Sequence, residues 1–247
     1  MDDFKGRRVF VTGAAGGIGK EIAASFAERG AAVGIADING GLLAETAAEI
    51  PGATAYEADV ADRSAMFRAV DNFAEAGGLD VMVNNAVYFY YAPLVDMPEA
   101  EVDKMLDIGI KGSFWGSQAA TPHIAARGGG LILNMSSVAV SFAIKNAAVY
   151  TSIKGAMDAF TRQQAIELAP QGIRVNALAP GTVVTPGTQA LLDDAGWQAR
   201  SAMMPMQRMV TGREIAEGAL YLASDGAKGV TGITLKIDGG FTIVGPR

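Results

Sequence analysis

Residues 8–19 read RVFVTGAAGGIG, an apolar strand pattern that runs directly into a glycine-rich turn. A helix pattern follows from Lys20 to Arg29 and ends at Gly30. A second apolar run, Ala31 to Ala36, leads to Asp37. This order of strand, glycine-rich turn, helix, strand and acidic residue is typical of a βαβ unit that binds a dinucleotide.

The glycines of the turn allow the backbone to approach a pyrophosphate that rests on the helix N-terminus. We therefore expect Gly13, Gly17, Ile18 and Gly19 to contact the phosphates. Asp37 lies 24 residues after Gly13, near the ~20 residues expected for the carboxylate that binds the ribose hydroxyls. Asp37 is therefore the predicted ribose ligand.

The rest of the chain alternates short apolar runs with longer helical patterns, without linker composition or an internal repeat. This alternation predicts one α/β domain, residues 1–247, with a parallel, doubly wound sheet. The predicted strands are Arg8–Thr12, Ala31–Ala36, Ala53–Ala58, Leu79–Asn84, Leu131–Met135, Gly172–Ala179 and Ile233–Ile237. The predicted helices are Lys20–Arg29, Leu42–Ile50, Arg63–Ala76, Pro98–Ile110 with a continuation to Ala126, Val149–Ala169 and Glu214–Ala223.

Polar or backbone-permissive residues follow the apolar strands. In sheets of this class, ligands bind beyond the carboxyl ends of the strands. We therefore expect the residues at six strand ends to line one cleft: Gly13, Asp37, Asp59, Asn85, Ser137 and Pro180.

Composition argues against several other kinds of site. The 247 residues include no cysteine and a single histidine, His123, so no disulfide, thiolate nucleophile or metal site is predicted. The net charge of −6 argues against binding to nucleic acid or to an anionic membrane surface. No apolar run has the length of a signal peptide core or a membrane span, so we expect a cytoplasmic protein.

A tyrosine and a lysine four residues apart, Tyr150 and Lys154, fall at the start of a predicted helix. Side chains at i and i+4 share one helix face. A phenol ordinarily loses its proton near pH ~10, and a neighbouring ammonium group lowers that pKa. The pair could therefore exchange a proton with a substrate, although a solvated helix face has the same spacing.

Together these motifs resemble the classical short-chain dehydrogenase/reductase family over essentially the whole chain. Ser137 precedes Tyr150 by 13 residues, the spacing usual in the family, and Tyr150 and Lys154 match its Tyr-x-x-x-Lys motif. The other matching segments are Thr12-Gly13-x-x-x-Gly17-x-Gly19, Asp59-Val60, Asn84-Asn85-Ala86 and Pro180-Gly181-x-x-x-Thr185.

The resemblance implies a Rossmann-type sheet of about seven strands in the order 3-2-1-4-5-6-7, with helices on both faces. It implies that Tyr150 is the acid/base, that Lys154 lowers its pKa and binds the nicotinamide ribose, and that Ser137 polarises the substrate oxygen. It also implies a homotetramer with interfaces on residues 108–120, residues 149–168 and the last strand. The implied dinucleotide contacts further include Asp59, Val60, Asn85, Ala86, Pro180, Gly181, Val183 and Thr185.

Cofactor choice favours NAD over NADP. Asp37 would chelate the adenosine ribose diol and repel a 2′-phosphate. The positions at which NADP-binding relatives tend to carry a basic residue hold Ala14, Ala15, Ile38 and Asn39.

Two positions depart from the family pattern. Gly109 stands where the family usually has a catalytic Asn that helps to hold a water linking the lysine to solvent. Either water and backbone carbonyls replace that side chain, or the proton relay is slowed or rewired. Val87 stands where a glycine usually follows the Asn-Asn-Ala segment, near the nicotinamide.

Four consecutive aromatic residues, Tyr88 to Tyr91, and a methionine-rich segment after Pro180 suggest an apolar or aromatic substrate. Each of these residues could equally serve core or subunit packing. The family has a mobile substrate lid in the second segment, here at about residues 182–210. The candidate substrate contacts are Tyr88, Lys145, Asn146 and Trp197, and Lys145 could bind a carboxylate or sulfonate if it is not simply solvated.

The predicted activity is the NAD-dependent interconversion of a small-molecule secondary alcohol and the corresponding ketone. A sugar or polyol dehydrogenase and a 3-oxoacyl reductase are alternatives within the same chemistry. A nucleotide-binding regulator with impaired catalysis is the alternative from a different class, and Gly109 is the residue that prompts it. His123 is predicted to be structural.

Overall fold

The computed structural model describes residues 3–185, 187–189 and 193–244. At its centre is a parallel sheet of seven strands in the order β3-β2-β1-β4-β5-β6-β7. The predicted sheet and its strand order are therefore confirmed. The strands are β1 Arg8–Thr12, β2 Ala32–Asp37, β3 Ala53–Glu57, β4 Val81–Asn84, β5 Gly130–Met135, β6 Ile173–Pro180 and β7 Thr234–Ile237.

Eight α-helices accompany the sheet in the described ranges. None of them is both long and apolar enough to cross a lipid bilayer. They are α1 Gly17–Glu28, α2 Gly40–Glu49, α3 Arg63–Glu75, α4 Glu99–Leu106, α5 Gly112–Ala126, α6 Ala148–Leu168, α7 Asp194–Met203 and α8 Gly212–Ala223.

Each face of the sheet has its own hydrophobic core, as strand alternation requires. Val9 and Val11 of β1 enter a core that includes buried residues of α1 and α8. Phe10, between them, enters the opposite core with buried residues of α3 and α5. The domain is therefore doubly wound, and the cores leave the carboxyl edge of the sheet available for a site.

The long helical pattern that starts near Pro98 does continue to Ala126, but it is not uniform. α4 and α5 are joined without a break by a π-helical turn at Asp107–Lys111. Such a turn inserts an extra residue into the helix and is frequent at functional sites. Gly109 lies in the middle of this turn and is buried.

The structure corrects some predicted boundaries. α1 begins at Gly17 rather than Lys20, because the end of the glycine-rich turn forms its first turn. α7 was not predicted, since its segment lacks a clear apolar period; it is capped by Asp193, whose carboxylate accepts from the N–H of Gly196. At the base of this region, Val183 and Val210 pair as an isolated parallel bridge.

Candidate active site

The glycine-rich turn folds back over the carboxyl end of β1. Gly13 and Gly17 have φ of 63° and 57°, values that residues with a side chain rarely adopt. A Cβ on Gly19 would collide with the Gly13 carbonyl oxygen and would lie 2.5 Å from Nδ2 of Asn85. The turn therefore depends on glycine at these positions.

Thr12 and Asn85 hold this turn in place. Nδ2 of Asn85 donates to the carbonyl oxygens of Thr12 and Gly13 at 2.9 and 3.0 Å. The Thr12 hydroxyl accepts from the N–H groups of Asn85 and Ala86 at 3.0 and 3.2 Å. The amide nitrogen of Asn85 is thus committed to the turn rather than directed at a cofactor.

The turn and the start of α1 fit a dinucleotide. Gly16, which precedes α1, has an extended backbone, and a Cβ there would meet no atom within 4 Å. The first turn of α1 carries no acidic side chain that would repel a phosphate. Its leading N–H groups lack partners within the helix, so they and the helix dipole attract an anion.

Asp37 is fixed beside the glycine-rich turn at the end of β2. Its Oδ2 accepts from the N–H of Ala15 at 3.1 Å, and its Oδ1 accepts from the N–H of Asn39 at 3.0 Å. Beyond β3, Asp59 accepts from the N–H of Ala61 at 2.9 Å, and the neighbouring Val60 is buried. Both carboxylates therefore lie at the predicted edge of the sheet.

The segment after β6 reaches back to the glycine-rich turn. The N–H of Gly181, which follows Pro180, donates to the Ile237 carbonyl at 2.8 Å. Farther along, the side chain of Thr185 lies 3.6 Å from where a Cβ of Gly17 would be. Sequence positions more than 160 residues apart are thereby brought to one side of the cleft.

Ser137, Tyr150 and Lys154 meet beyond the carboxyl end of β5. Ser137 directly follows this strand region, is buried, and accepts from the N–H of Ala139 at 3.2 Å. Tyr150 lies in the first turn of α6, and Lys154 lies one turn later. Nζ of Lys154 donates to the carbonyl oxygen of Met135 at 2.8 Å and lies 5.8 Å from the centre of the Tyr150 ring.

Burial shifts the proton affinities of this pair. It raises the pKa of the Tyr150 phenol above its usual value, and the Ser137 hydroxyl opposes that rise. It also lowers the pKa of Lys154 to about 8. Lys154 is therefore mostly protonated at pH 7, whereas for Tyr150 the desolvation of the phenol outweighs its hydrogen bond with Ser137. The predicted lowering of the Tyr150 pKa is not found in the protein by itself.

Two aromatic side chains pack around Tyr150. The ring centres of Phe89 and Tyr91 lie 6.3 and 5.8 Å from that of Tyr150, both in edge-to-face orientation. Phe89 and Tyr91 are themselves 5.6 Å apart. Such pairs are favourable beyond the burial of their area, so the aromatic run supplies one wall beside the phenol.

The candidate substrate contacts are distributed differently from what the sequence suggests. Tyr88 is directed to α4: its hydroxyl donates to Glu101 at 2.8 Å, and Lys104 lies over its ring. Phe89 and Tyr91 belong to the predicted aromatic run but were not among the candidate substrate contacts, and their rings pack against Tyr150.

The loop before α6 is tied to the aromatic segment. Asn146, with a positive φ of 63°, presents its carbonyl oxygen to the N–H of Ala92 at 3.1 Å. Lys145 beside it is exposed. In α7, Nε1 of Trp197 donates to the carbonyl oxygen of Gln189 at 3.2 Å, so the indole is held within its own segment.

Gly109 and Ile153 fit against each other beside Tyr150 and Lys154. A Cβ on Gly109 would lie 2.7 Å from Cγ2 of Ile153, which is buried in α6 next to Lys154. Ser113 donates to the Gly109 carbonyl at 3.2 Å. The space of a side chain at position 109 is therefore filled by isoleucine. Val87, the other departure, is exposed.

His123 lies near the end of α5, and its Nε2 is 2.6 Å from Oδ1 of Asp71 on α3. The two side chains join neighbouring helices on the outer surface. Nothing in this contact connects His123 to the cleft, so the prediction of a structural residue is consistent with its position.

Comparison with known proteins places this geometry in a class. A family model described as enoyl-(acyl carrier protein) reductase matches residues 13–242. Cyclopentanol dehydrogenase of a Comamonas species is 36% identical, covering 95% of this chain and 96% of its own. D-threitol dehydrogenase of Mycolicibacterium smegmatis is 34% identical, covering 98% of this chain and 95% of its own.

A solved structure agrees with these relatives. The 3-ketoacyl-(acyl-carrier-protein) reductase of Brucella melitensis, complexed with NADH, superposes with a TM-score of 0.90 and 29% identity. The match covers 97% of this chain and 99% of the other. The fold and its relatives thus define an oxidoreductase of the kind that uses a nicotinamide cofactor. The chain belongs to the classical short-chain dehydrogenase/reductase family.

Proposed function

We propose that the protein interconverts a secondary alcohol and a ketone with NAD, with Tyr150 as the acid/base. The observation that carries this proposal is the meeting of Ser137, Tyr150 and Lys154 at the sheet edge that also holds the glycine-rich turn. The nicotinamide would supply the hydride chemistry. The protein would bind the substrate, orient it and handle one proton.

Each side chain has a separate task in this proposal. Ser137 holds the substrate oxygen, and Tyr150 takes the alcohol proton in oxidation or returns one in reduction. Lys154 supplies positive charge beside the phenol and a donor for the nicotinamide ribose. Because burial alone raises the pKa of Tyr150, the phenolate needs this charge and that of an oxidised nicotinamide to form near neutral pH.

NAD is the preferred cofactor in this proposal. Ala15 and Asn39 orient the Asp37 carboxylate through their N–H groups, and in that position it would accept from both hydroxyls of an adenosine ribose. A 2′-phosphate would meet a fixed negative charge there. The pyrophosphate would rest on the glycine-rich turn, and Asp59, Val60, Ala86 and the segment from Gly181 to Thr185 would complete the contacts.

The substrate is proposed to be apolar or aromatic near the reacting carbon. Phe89 and Tyr91 line the approach to Tyr150. Exposed Met203 and Met206 lie in the residue range 182–210, which we propose as the substrate lid. Methionine adapts to irregular apolar surfaces, and so suits a lid over such a substrate.

Two alternatives keep the same chemistry but change the substrate. A polyol dehydrogenase and a 3-oxoacyl reductase are both represented among similar proteins. The aromatic wall disfavours the polyol dehydrogenase, since a polyol needs more hydrogen-bonding side chains. A regulator that binds NAD without catalysis is disfavoured by the intact group of Ser137, Tyr150 and Lys154. We also propose a homotetramer in the cytoplasm.

The test is a screen of NAD reduction with secondary alcohols of four kinds: aromatic, alicyclic, polyol and hydroxy acid. The purified protein should turn over at least one group, with NAD preferred to NADP. Tyr150→Phe should abolish turnover while NADH still binds. Binding of NADH without turnover of any alcohol or ketone, with Tyr150→Phe indistinguishable from the wild type, would establish the regulator instead.

A further inference from the structure

Arg200 is an exposed cation in α7, and its guanidinium reaches the segment that follows β6. Its Nη1 lies 3.4 Å from Oγ1 of Thr182, two residues beyond the end of β6. Among the residues described, no carboxylate forms an ion pair with Arg200. By contrast Arg208, eight residues later, is neutralised by Glu214 at 2.7 and 2.8 Å. The cleft thus keeps one arginine available.

Tyr91 lies between Arg200 and Tyr150, the proposed acid/base. Its ring packs against that of Tyr150 at 5.8 Å. Burial and the neighbouring Tyr150 raise the pKa of Tyr91 to about 12, and Arg200 is near enough to oppose that rise. The Tyr91 phenol therefore stays protonated in the physiological range. Within the described ranges it has no hydrogen-bond partner, so it remains a donor.

We propose that Arg200, with Tyr91 and Thr182, binds an anionic group of the substrate, a carboxylate or a sulfonate. This inference rests on the proposed function and narrows its substrate class to an apolar or aromatic alcohol with an oxyanion at one end. The guanidinium is planar and offers paired N–H donors that match an oxyanion. The carbinol carbon would lie at Ser137 and Tyr150, with the apolar body against Phe89 and Tyr91.

The charge of the rest of the protein sharpens this inference. A chain with a net charge of −6 repels anions at a distance. An anionic substrate therefore needs a local cation, and Arg200 supplies it at the cleft. Lys145, in the loop before α6, is also exposed, but among the described residues no hydrogen bond or ion pair ties its ammonium group to the cleft. We assign the anion to Arg200 rather than to Lys145.

A binding experiment tests this without requiring turnover. Trp197 lies three residues before Arg200, on the same side of α7, and its fluorescence reports on ligands beside the guanidinium. In a Trp115→Phe background, which leaves Trp197 as the only tryptophan, the NAD complex is titrated with benzoate, benzenesulfonate and benzamide. The two anions should quench saturably, and the neutral amide should bind about tenfold more weakly or not at all.

Variants identify the cation. Arg200→Gln should weaken anion binding about tenfold, and Arg200→Lys should weaken it less. Arg68→Gln removes an exposed arginine on α3 and should change nothing. Comparison of benzoate with benzenesulfonate shows which oxyanion the site prefers. Equal affinity for benzamide and benzoate, or equal loss in Arg68→Gln and Arg200→Gln, would overturn the inference, as would a larger loss in Lys145→Gln.

Kinetics separate this inference from the proposed function. With an aromatic hydroxy acid and its neutral methyl ester as paired substrates, Arg200→Gln should raise KM for the acid about tenfold and leave the ester within about twofold. Turnover of both without such discrimination keeps the dehydrogenase and overturns the anion site. Anion binding that depends on Arg200, without turnover of any alcohol, supports the site and overturns the proposed reaction.

Discussion

On the cofactor side of the cleft, the groups that matter belong to the backbone. The glycine-rich turn, the N–H groups of α1 and the braces from Thr12 and Asn85 form one hydrogen-bonded unit. On the substrate side, the groups are side chains from distant segments: Phe89 and Tyr91 from the loop after β4, Tyr150 from α6 and Arg200 from α7. On the first side an added Cβ at Gly13 or Gly19 would collide with backbone atoms, whereas the second side is defined by which side chains are present.

This difference explains how one family can share a cofactor and vary its substrates. The glycine-rich turn binds phosphates through backbone N–H groups. Any sequence that keeps the required glycines can supply these groups. A wall of side chains changes with each substitution. Mutations on the cofactor side should therefore act by displacing backbone groups, and mutations on the substrate side by removing individual side-chain contacts.

The largest effect is expected at Tyr150. Tyr150→Phe keeps the aromatic contacts with Phe89 and Tyr91 but removes the hydroxyl, so turnover should fall about 10³-fold because general acid–base catalysis is lost. NADH affinity, measured by fluorescence titration, should change less than about twofold. Tyr91→Phe is the matched control and should retain most of the turnover with a neutral alcohol. Comparable loss in both variants would mean that the two phenols act as one unit.

The next effect is a pH dependence of stability that arises from Lys154. Its pKa is about 8 in the folded chain, below its ordinary 10.5. Between these values the unfolded chain binds a proton that the folded chain has released, so the free energy of unfolding rises with pH across that window. The gain from this group should be about 3 kcal/mol at most.

Urea unfolding of the wild type and of Lys154→Met, without cofactor, measures that gain. Between pH 7.5 and 10 the wild type should gain stability relative to the variant, because the variant has no ammonium group to desolvate. Stability curves that run parallel over this range would show that the folded lysine titrates near its ordinary pKa.

On the cofactor side, Gly19→Ala should lower NAD affinity about 100-fold, because the added Cβ collides with the Gly13 carbonyl and displaces the glycine-rich turn. Gly41→Ala is the control: Gly41 is an exposed helical glycine whose Cβ would meet only Oδ1 of Asn39 at 3.7 Å. That variant should be more stable by about 0.5–1 kcal/mol and bind NAD normally. Isothermal titration and thermal unfolding distinguish the two, and normal binding by Gly19→Ala would contradict a rigid glycine-rich turn.

Asp37 contributes a side chain to the cofactor side, which is otherwise built from backbone groups. Its replacement should therefore impair NAD binding less than Gly19→Ala does. Asp37→Ala should raise KM for NAD about tenfold and reduce the preference over NADP, because the ribose loses a charge-assisted hydrogen bond. Initial rates with both cofactors measure this. Asp71→Asn, on the outer surface beside His123, should leave both constants unchanged. An unaltered ratio in Asp37→Ala would mean that other residues select the cofactor.

The smallest effect concerns the contact between Gly109 and Ile153. Gly109→Asn should destabilise the fold by about 1–3 kcal/mol through overpacking, since its Cβ would lie 2.7 Å from Cγ2 of Ile153. Ile153→Ala opens a cavity, and the double variant should recover about 1 kcal/mol relative to the sum of the single changes. Urea unfolding closes this cycle, and strict additivity would show that the two positions are independent.

Turnover of the double variant addresses the proton relay. With the new asparagine side chain accommodated in the space that Ile153→Ala vacates, NAD affinity should be unchanged. A changed turnover or pH profile would show that the glycine rewires the relay, whereas unchanged turnover would show that water and carbonyl groups already suffice. The single variant cannot decide this, because its clash with Ile153 alters the π-helical turn as well.

The sheet and the cofactor side could be predicted because their signals are local. A strand, a turn and a helix follow one another between Arg8 and Gly30, and each element is recognised within a few residues. The strand order came from the family resemblance rather than from the chain itself. The start of α1 was predicted too late because glycines have low helix propensity and contribute no apolar periodicity that would mark a helix.

The substrate side could not be predicted to the same depth, because its contacts join distant residues. Tyr88 and Tyr91 belong to the same aromatic run, yet Tyr88 is drawn to Glu101 and Tyr91 to Tyr150. Ile153 carries no signal that it occupies the space beside Gly109. Arg200 becomes a candidate binding residue only in the folded structure, because α7 brings its guanidinium beside Thr182.

The bridge between Val183 and Val210 has a consequence for how such proteins diversify. It fastens both ends of residues 184–209 at neighbouring points, which paired strands hold ~4.8 Å apart. Loop-closure entropy grows only slowly with length, so the sheet places little constraint on what lies between the two valines. As the substrate lid proposed above, this segment could be exchanged as a unit between Val183 and Val210. Such an exchange should change substrate selection and leave the sheet and the cofactor side as they are.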